Sequence, residues 1–252
     1  MSLGNAEGPE VAAGGLGIPL EVGMSTETTP ESLLGPLNPV EQKNAPKRLF
    51  YAGDISLCRN FPRVAIIGTR KPSSLGLRRT HDLAKMLVSR DVVVVSGLAR
   101  GVDTCAHQTA IDARGKTIAV LGTPLDQFYP KENADLQRKI MAEHLAISQF
   151  HHGYTVQPKS FAIRNRTMAL IANATVIVEA GEGSGTLHQG WEALRLGRPL
   201  FLMESLTRDK KLEWPGKMMA YGAQVLKRDN MDDLFECLPP TVPSDEEAVL
   251  SF

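Results

Sequence analysis

Short apolar runs alternate with amphipathic segments along most of the chain, from Phe61 to Met203. The short runs are rich in valine and isoleucine, which is typical of strands in a sheet that is covered on both faces. The segments between them repeat apolar residues at helical intervals. The predicted strands are RVAIIG, DVVVVSG, KTIAVLG, LAISQF, ATVIVEAG and RPLFLME. The predicted helices are SSLGLRRTHDLAKMLVSR, VDTCAHQTAIDARG, NADLQRKIMAEH, SFAIRNRTMALIAN and TLHQGWEALRLG.

This alternation predicts an α/β fold. Strand–helix–strand units favour right-handed crossovers, so we expect a mainly parallel sheet with helices on both faces. Local signals set three helix ends: Ser73 or Ser74 caps the first helix, Gly115 ends the second and Asn133 caps the third. The segment from Glu213 to Leu238 predicts a helix, a short strand and a final helix.

Composition divides the chain into three parts. Residues 1–45 are rich in Gly, Pro, Glu, Ser and Thr and lack periodicity. We expect a flexible N-terminal tail there, because such a segment buries too little apolar surface to offset its ordering entropy. Residues 46–240 carry the α/β domain, and residues 241–252 are expected to form an acidic C-terminal tail.

Charge is unevenly distributed although the formal net charge is zero. Residues 49–228 hold 25 Lys and Arg against 15 Asp and Glu, and the segments on either side are acidic. A basic body is compatible with a polyanionic partner, and equally with a solvated surface of mixed charge.

The cysteines and the hydropathy indicate the compartment. Cys58, Cys105 and Cys237 are far apart in the sequence, which favours free thiols in a reducing environment. The sequence contains no apolar run of the roughly 20 residues that a membrane-spanning helix needs. We therefore expect a cytoplasmic protein that does not associate with membranes.

Three glycine-containing loops follow predicted strands and lead into helices: GTRKPS at 68–73, SGLARG at 96–101 and GEGSGT at 181–186. Ligands bind at this edge of a parallel sheet, and the N–H groups of a helix start suit phosphate. Neither a P-loop nor a GxGxxG dinucleotide motif is present, so we expect no cofactor. The candidate phosphate-binding residues in these loops are Gly68, Thr69, Arg70, Lys71, Ser96, Gly97, Arg100, Gly101, Gly183, Ser184, Gly185 and Thr186.

A second basic cluster occupies PKSFAIRNR, where Lys159, Arg164 and Arg166 surround Asn165. Two arginines near a helix start oppose the helix dipole, so their placement favours an anionic ligand. The alternative is that one of the arginines pairs with Glu179 or Glu182.

Aromatic and histidine residues near these loops allow further roles. Tyr129, Tyr154 and Phe161 could stack on nucleic-acid bases, and burial is an equal alternative for Phe161. We expect no metal site at the adjacent histidines 151 and 152, since no further ligand lies at a suitable spacing. His107 lies four residues after Asp103 on one helix face, which predicts a structural pair.

Several of these stretches together resemble the DNA-processing protein A family, also called Smf. They are VAIIGTRKPSSLG, VVVSGLARGVDTCAH, TIAVLGTPLDQFYPKEN and SFAIRNRTMALIANATVIVEAGEGSGTL, between about Leu49 and Met203. The resemblance covers the family's Rossmann-like domain alone. It implies an extended Rossmann-like fold and makes residues 46–240 a DNA-binding domain. The family's DNA-binding positions fall on Arg70, Lys159, Arg164, Asn165 and Arg166, and on Ser96, Gly97 and Gly101.

The resemblance also implies a function. We expect a protein that binds and protects single-stranded DNA, loads a RecA-type recombinase in recombination or natural transformation, and forms a homodimer or a higher oligomer. The segment from Glu213 to Leu238 is the candidate surface for self-association, because its apolar residues exceed what one helix pair needs.

A related family offers the alternative function. The cytokinin-activating phosphoribohydrolases carry a PGGxGTxxE loop, to which GSGTLHQ is similar, but His188 and Gln189 stand where the acidic residues would be. Cleavage of a glycosidic bond needs a carboxylate. We therefore expect a binding protein without catalytic residues, and a nucleotide-binding sensor or phosphoribohydrolase is the alternative.

Overall fold

The computed structural model describes residues 25–227 and 231–242, which form one sheet of nine strands. The six predicted strands and the five predicted helices are all present. The strands are β1 Thr26–Thr28, β2 Leu49–Gly53, β3 Arg63–Gly68, β4 Val93–Ser96, β5 Thr117–Leu121, β6 Leu145–Ser148, β7 Ala174–Glu179, β8 Leu200–Met203 and β9 Gln224–Leu226. The helices are α1 Pro30–Leu34, α2 Pro39–Asn44, α3 Ser56–Arg59, α4 Ser74–Val88, α5 Val102–Asp112, α6 Ala134–Glu143, α7 Pro158–Ile171, α8 Thr186–Arg195, α9 Glu204–Arg208, α10 Trp214–Ala220 and α11 Asp232–Glu236.

The sheet is mainly parallel, as predicted. Its order is β1-β2-β6-β5-β4-β3-β7-β8-β9, and β2 alone is antiparallel to its neighbours β1 and β6. Right-handed crossovers place α4, α5 and α6 on one face and α7 and α8 on the other. Helix α4 packs against α5, and α7 packs against α8. The direction of the crossovers changes between β3 and β7, so a crevice opens at the carboxyl ends of these two strands.

The core lies in the central strands, whose side chains are almost all buried. Runs such as Val92–Val95 are apolar throughout because helices cover both faces of the sheet. Within the described ranges, no helix combines the length and the apolar character that a bilayer crossing requires.

The prediction of a flexible tail is wrong for residues 25–45. Strand β1 extends the sheet by pairing with β2, Leu33 is fully buried in the main core, and Glu41 forms an ion pair with Arg198 (2.5 Å). Asn38 caps α2, accepting from the Glu41 N–H, while the Glu41 carboxylate accepts from the Asn38 N–H. Residues 1–24 and 243–252 lie outside the described residues, so the tail predictions there stay predictions.

Two of the predicted helix ends are set by residues or contacts other than those the sequence analysis expects. Helix α5 ends where Arg114 adopts a left-handed conformation (φ 59°), and Gly115 follows because a Cβ there would collide with Val88. Asn133 does not cap α6, since its amide donates to the Leu98 carbonyl (2.9 Å) and the Thr104 hydroxyl (2.8 Å). Ser73 does cap α4, accepting from the Gly76 N–H at 3.0 Å.

We predict that Leu33→Ala lowers the free energy of unfolding by roughly 2–5 kcal/mol, because it leaves a cavity in the core. The matched control is Val40→Ala in the next helix, whose side chain is 46% exposed and whose loss should change stability by less than about 0.5 kcal/mol. Urea unfolding followed by circular dichroism measures both. Equal, negligible effects would mean that this segment does not pack on the sheet.

Candidate functional site

A cleft of about 620 Å³ opens at the carboxyl ends of β3 and β7, where the crossover direction changes. The loop after β3 and the loop after β7 form two of its walls, and the first half of α7 forms a third. The structure therefore brings together the GTRKPS loop, the GEGSGT loop and the RNR segment, as the sequence predicts for one edge of the sheet. The polar residues that line it are Thr69, Arg70, Lys71, Asp103, Arg164, Asn165, Ser184, Thr186, His188 and Gln189.

The loop after β3 presents two exposed cations. Arg70 and Lys71 form no ion pair with any carboxylate that the structure describes. The Arg70 guanidinium lies 5.9 Å from the centre of the Phe161 ring, and the Thr69 hydroxyl accepts from the Lys71 N–H at 3.2 Å. A fixed turn therefore holds two uncompensated positive charges at the mouth of the cleft.

Arg164 departs from the predicted role of a surface phosphate ligand. It is 5% exposed, and its Nη1 donates to the carbonyls of Gly97 and Val120 (3.1 Å to Val120), while its Nε donates to Asn165 Oδ1 at 3.0 Å. A Cβ on Gly97 would collide with this guanidinium. The arginine thus joins α7 to the ends of β4 and β5, and Gly97 leaves the space that it needs.

The buried Asp103 carboxyl interacts electrostatically with this arginine. Burial raises the pKa of the Asp103 carboxyl, while Arg164 and the N–H group of Ala99 act in the opposite direction. Burial lowers the pKa of Arg164 and Asp103 opposes that change.

The predicted pair of Asp103 with His107 is wrong, because His107 Nδ1 donates instead to the hydroxyl of Thr117 (2.7 Å). Burial lowers the pKa of His107 to about 3, so its ring is neutral near pH 7.

The alternative partners proposed for the arginines of α7 are also wrong. Glu179 accepts from the N–H (2.9 Å) and hydroxyl (2.7 Å) of Ser73, and Glu182 accepts from the Glu213 N–H (2.6 Å). Arg166 is exposed and pairs with Glu192 (3.1 Å), which also binds Arg195.

Lys159 is exposed in the first turn of α7 and has no carboxylate partner in the described part of the chain. Arg100 is exposed but pairs with Glu132, which raises the pKa of Arg100 and lowers that of Glu132. Neither residue lines the cleft between the two loops. The uncompensated cations of the predicted site are therefore Arg70, Lys71 and Lys159.

The glycines of the three loops differ in what surrounds them. A Cβ on Gly68 would lie 2.6 Å from a Val102 methyl, and one on Gly101 would lie 2.6 Å from the Thr69 carbonyl, so packing between loops requires both glycines. A Cβ on Gly181, Gly183 or Gly185 would meet no atom within 4 Å. Packing does not require these three glycines, and they leave the backbone of the GEGSGT loop open to a ligand.

Hydrogen bonds fix that open loop in place. Thr186 donates its hydroxyl to the Gly68 carbonyl (3.0 Å), and the Asn165 amide donates to the Gly185 carbonyl (3.2 Å). The Ser184 hydroxyl accepts from the Thr186 N–H at 3.3 Å. The N–H groups of Gly183 and Gly185 donate to no atom of the described residues. They stand at the start of α8, where a helix favours an anion.

Two side chains that line the cleft were not among the predicted binding residues. Gln189 is 1% exposed and its Nε2 has no hydrogen-bond partner within the described residues. Asp103 is a carboxylate lining the same space. Gln189 and Ala193 lie four residues apart on α8 and are both buried. This helical spacing could have indicated from the sequence that Gln189 faces inward.

The histidine pair considered as a metal site and the carboxylate considered for catalysis take part in other interactions. The Nδ1 atom of His152 lies 2.6 Å from Oδ2 of Asp126. Among the described residues, no group of three His, Cys, Asp or Glu side chains could hold a metal ion. Glu192 binds two arginines and does not line the cleft.

Comparison with known proteins identifies relatives of this chain and of its fold. The family model for DNA recombination-mediator protein A matches residues 30–239. The DNA processing protein DprA of Streptococcus pneumoniae is 37% identical over 73% of this chain and 64% of its own length, so the chain spans just under two thirds of that relative. The X-ray structure of DNA processing protein A from Streptococcus pneumoniae has a TM-score of 0.73 at 31% identity, covering 87% of this chain and 76% of that one. The structure of DNA processing protein A from Helicobacter pylori, which concerns its single-stranded DNA binding mode, has a TM-score of 0.69 at 27% identity, covering 84% of this chain and 94% of that one.

We predict that Gly97→Ala lowers the free energy of unfolding by more than about 3 kcal/mol, because the new methyl group displaces a buried, hydrogen-bonded charge. Gly185→Ala is the matched control. Its φ of −59° suits alanine and its surroundings are open, so we expect a change within about 1 kcal/mol. Urea unfolding of the two variants measures the difference. A mild effect at Gly97 would contradict the buried position of Arg164.

Proposed function

Because the chain belongs to the DNA recombination-mediator protein A family, we propose that it binds single-stranded DNA along the cleft between β3 and β7. The observation that carries this proposal is the placement of Arg70 and Lys71 in the same cleft as Gly185 of the open GEGSGT loop, with Lys159 in the first turn of α7, the helix that forms another wall. These three cations have no carboxylate partner among the described residues. The single-stranded DNA binding mode of the Helicobacter pylori relative supports it.

The chemistry of the site suits a phosphodiester chain. Arg70, Lys71 and Lys159 neutralise phosphates, and the N–H groups at Gly183 and Gly185 donate to single phosphate oxygens. Phe161 is half-buried beside Arg70 and offers an aromatic edge to a base. Contacts of this kind recognise the backbone, so binding depends little on base sequence. Arg164 contributes by holding the loops rather than by reaching a phosphate.

The wider role follows from the family. We propose that the protein protects single-stranded DNA and loads a RecA-type recombinase, without catalysis and without a cofactor, in the cytoplasm. A candidate surface for self-association includes α10, β9 and α11, where Tyr221 is exposed and its ring packs against the Trp191 ring (5.5 Å between centroids).

The alternative function, a nucleotide-binding sensor or phosphoribohydrolase, draws on Asp103 and Gln189 in the cleft. A buried carboxylate and an unpaired amide are groups that an enclosed base and ribose would engage. AMP distinguishes the two functions. If the proposed function is right, AMP neither competes with an oligonucleotide nor releases adenine. Either form of the alternative expects AMP to compete, and the phosphoribohydrolase also expects release of adenine.

We predict a strong salt dependence of oligonucleotide binding. Three phosphate contacts give a log–log slope of about −2, since each contributes about −0.7 on a single strand. Arg70→Ala and Lys159→Ala should each flatten this slope by about 0.7 and weaken binding to all sequences alike. Fluorescence anisotropy with labelled oligonucleotides across a salt series measures the slopes.

The matched control is Arg48→Ala, which removes an exposed arginine that pairs with Glu27 at the far edge of the sheet. It should leave both slope and affinity unchanged. A flat salt response of the parent protein, combined with preference for one nucleobase, would overturn the DNA-binding proposal in favour of the nucleotide site.

We also expect self-association at tens of micromolar, measured by sedimentation equilibrium. Burial of the Tyr221 ring and its surroundings would drive it, so Tyr221→Asp should shift the protein towards the monomer. A parent protein that sediments as a monomer over this range would contradict the expectation.

A further inference from the structure

We propose that a second cleft, between Phe161 and the connection from β5 to α6, binds the adjoining nucleotide of the same strand, with Tyr129 stacking on its base and Lys131 contacting its phosphate. This inference rests on the proposed binding of single-stranded DNA and extends it. It assigns a role to a loop that none of the three glycine-containing motifs includes.

The second cleft has a volume of about 580 Å³ and adjoins the first at Arg70 and Phe161, which line both. Both clefts are lined by Arg70, Lys71, Ala99, Phe161 and Arg164. The exposed guanidinium of Arg70 therefore stands at the border between two spaces that could each hold a nucleoside. A phosphodiester joins two nucleosides, so a phosphate bound at Arg70 directs one nucleoside to each side.

The aromatic residues of this cleft form a stepped surface. The Tyr129 ring lies 5.2 Å from the Phe161 ring, centroid to centroid, at an interplanar angle of 45°. Phe161 packs on Gly122, where a Cβ would lie 2.6 Å from the Phe161 ring, so its position is fixed. Tyr129 is 50% exposed, and its open side is available to a base. Stacking of this kind tolerates any base, because each has an aromatic face.

The charge of the cleft favours the same occupant. The cations that line it include Arg70, Lys71, Arg100 and Lys131. Glu132 is the single carboxylate among its described lining residues, and it pairs with Arg100. Lys131 is exposed and has no acidic partner within the part of the chain that the structure describes. Uncompensated cations beside an exposed aromatic ring are the combination that single-strand binding proteins use.

The proposed occupant is a segment of a DNA strand rather than a free nucleotide. Binding should therefore depend on the length of the oligonucleotide, and this dependence tests the proposal. The protein is titrated with labelled thymidine oligonucleotides from two to twenty nucleotides, for the parent, Tyr129→Ala, Tyr129→Phe and Lys131→Ala. We expect Tyr129→Ala to weaken binding of all these oligonucleotides about tenfold, because a dinucleotide already spans both clefts, and to weaken binding of thymidine monophosphate, titrated in the same way, less than twofold. Tyr129→Phe keeps the ring and should bind within about twofold of the parent.

Lys131→Ala should flatten the salt slope for long oligonucleotides by about 0.7. Its matched control is Lys139→Ala on α6, an exposed lysine outside both clefts, which should change nothing. Photo-crosslinking of the parent protein to an iodouracil-containing oligonucleotide, with the crosslinked peptide identified by mass spectrometry, gives a readout that needs no substitution. We expect the crosslink at Tyr129.

The outcomes separate the two proposals. If the parent binds oligonucleotides but Tyr129→Ala and Lys131→Ala match it at every length, or the crosslinks fall elsewhere, the second subsite is wrong and the proposed function stands. If the parent binds no oligonucleotide, both fail.

Discussion

The buried guanidinium of Arg164 is the constraint on which the rest of the site depends. It lies where the ends of β4 and β5 meet α7, and it donates to the carbonyls of Gly97 and Val120. A buried charge is costly unless other groups compensate it, and here the two carbonyl groups accept its hydrogen bonds while Asp103 attracts it electrostatically. Because this one side chain joins a loop, two strands and a helix, it fixes how the SGLARG loop and the RNR segment approach each other.

Two classes of charged residue lie at this edge of the sheet. One class is structural and has partners within the protein, as Arg164 has in the carbonyls of Gly97 and Val120 and Arg166 has in Glu192. The other is exposed and uncompensated, as in Arg70 and Lys71, and supplies the attraction for an anion. The glycines also fall into two classes. Those of the first two loops allow close packing with other parts of the protein, whereas those of GEGSGT have no neighbouring atoms and leave space for a ligand.

The sequence predicted the sheet well because valine-rich runs and glycine-bounded helices are local signals that tertiary packing does not reverse. It also predicted which loops meet, since the carboxyl ends of parallel strands share an edge. The burial of Arg164 was harder to predict, because its charge indicates a surface residue. One signal existed: Ser160, Arg164 and Thr167 share a helical stripe that is buried in the structure. The tail prediction failed for residues 25–45 because composition does not reveal local capping: the sequence Asn38-Pro-Val-Glu41 forms a capping box that starts α2.

The arrangement of carboxylates bears on the choice between binding and catalysis. A general acid or base must reach the reacting atoms and change its protonation state there. Glu192, which follows the glycine loop on α8, is bonded to two arginines outside the cleft. Asp103 does line the cleft, but it is buried, interacts electrostatically with Arg164 and accepts a hydrogen bond from the Ala99 N–H. Protonation of Asp103 would remove its electrostatic attraction for the buried guanidinium of Arg164, which holds the loops together. This arrangement agrees with the proposed role of the site in holding a strand.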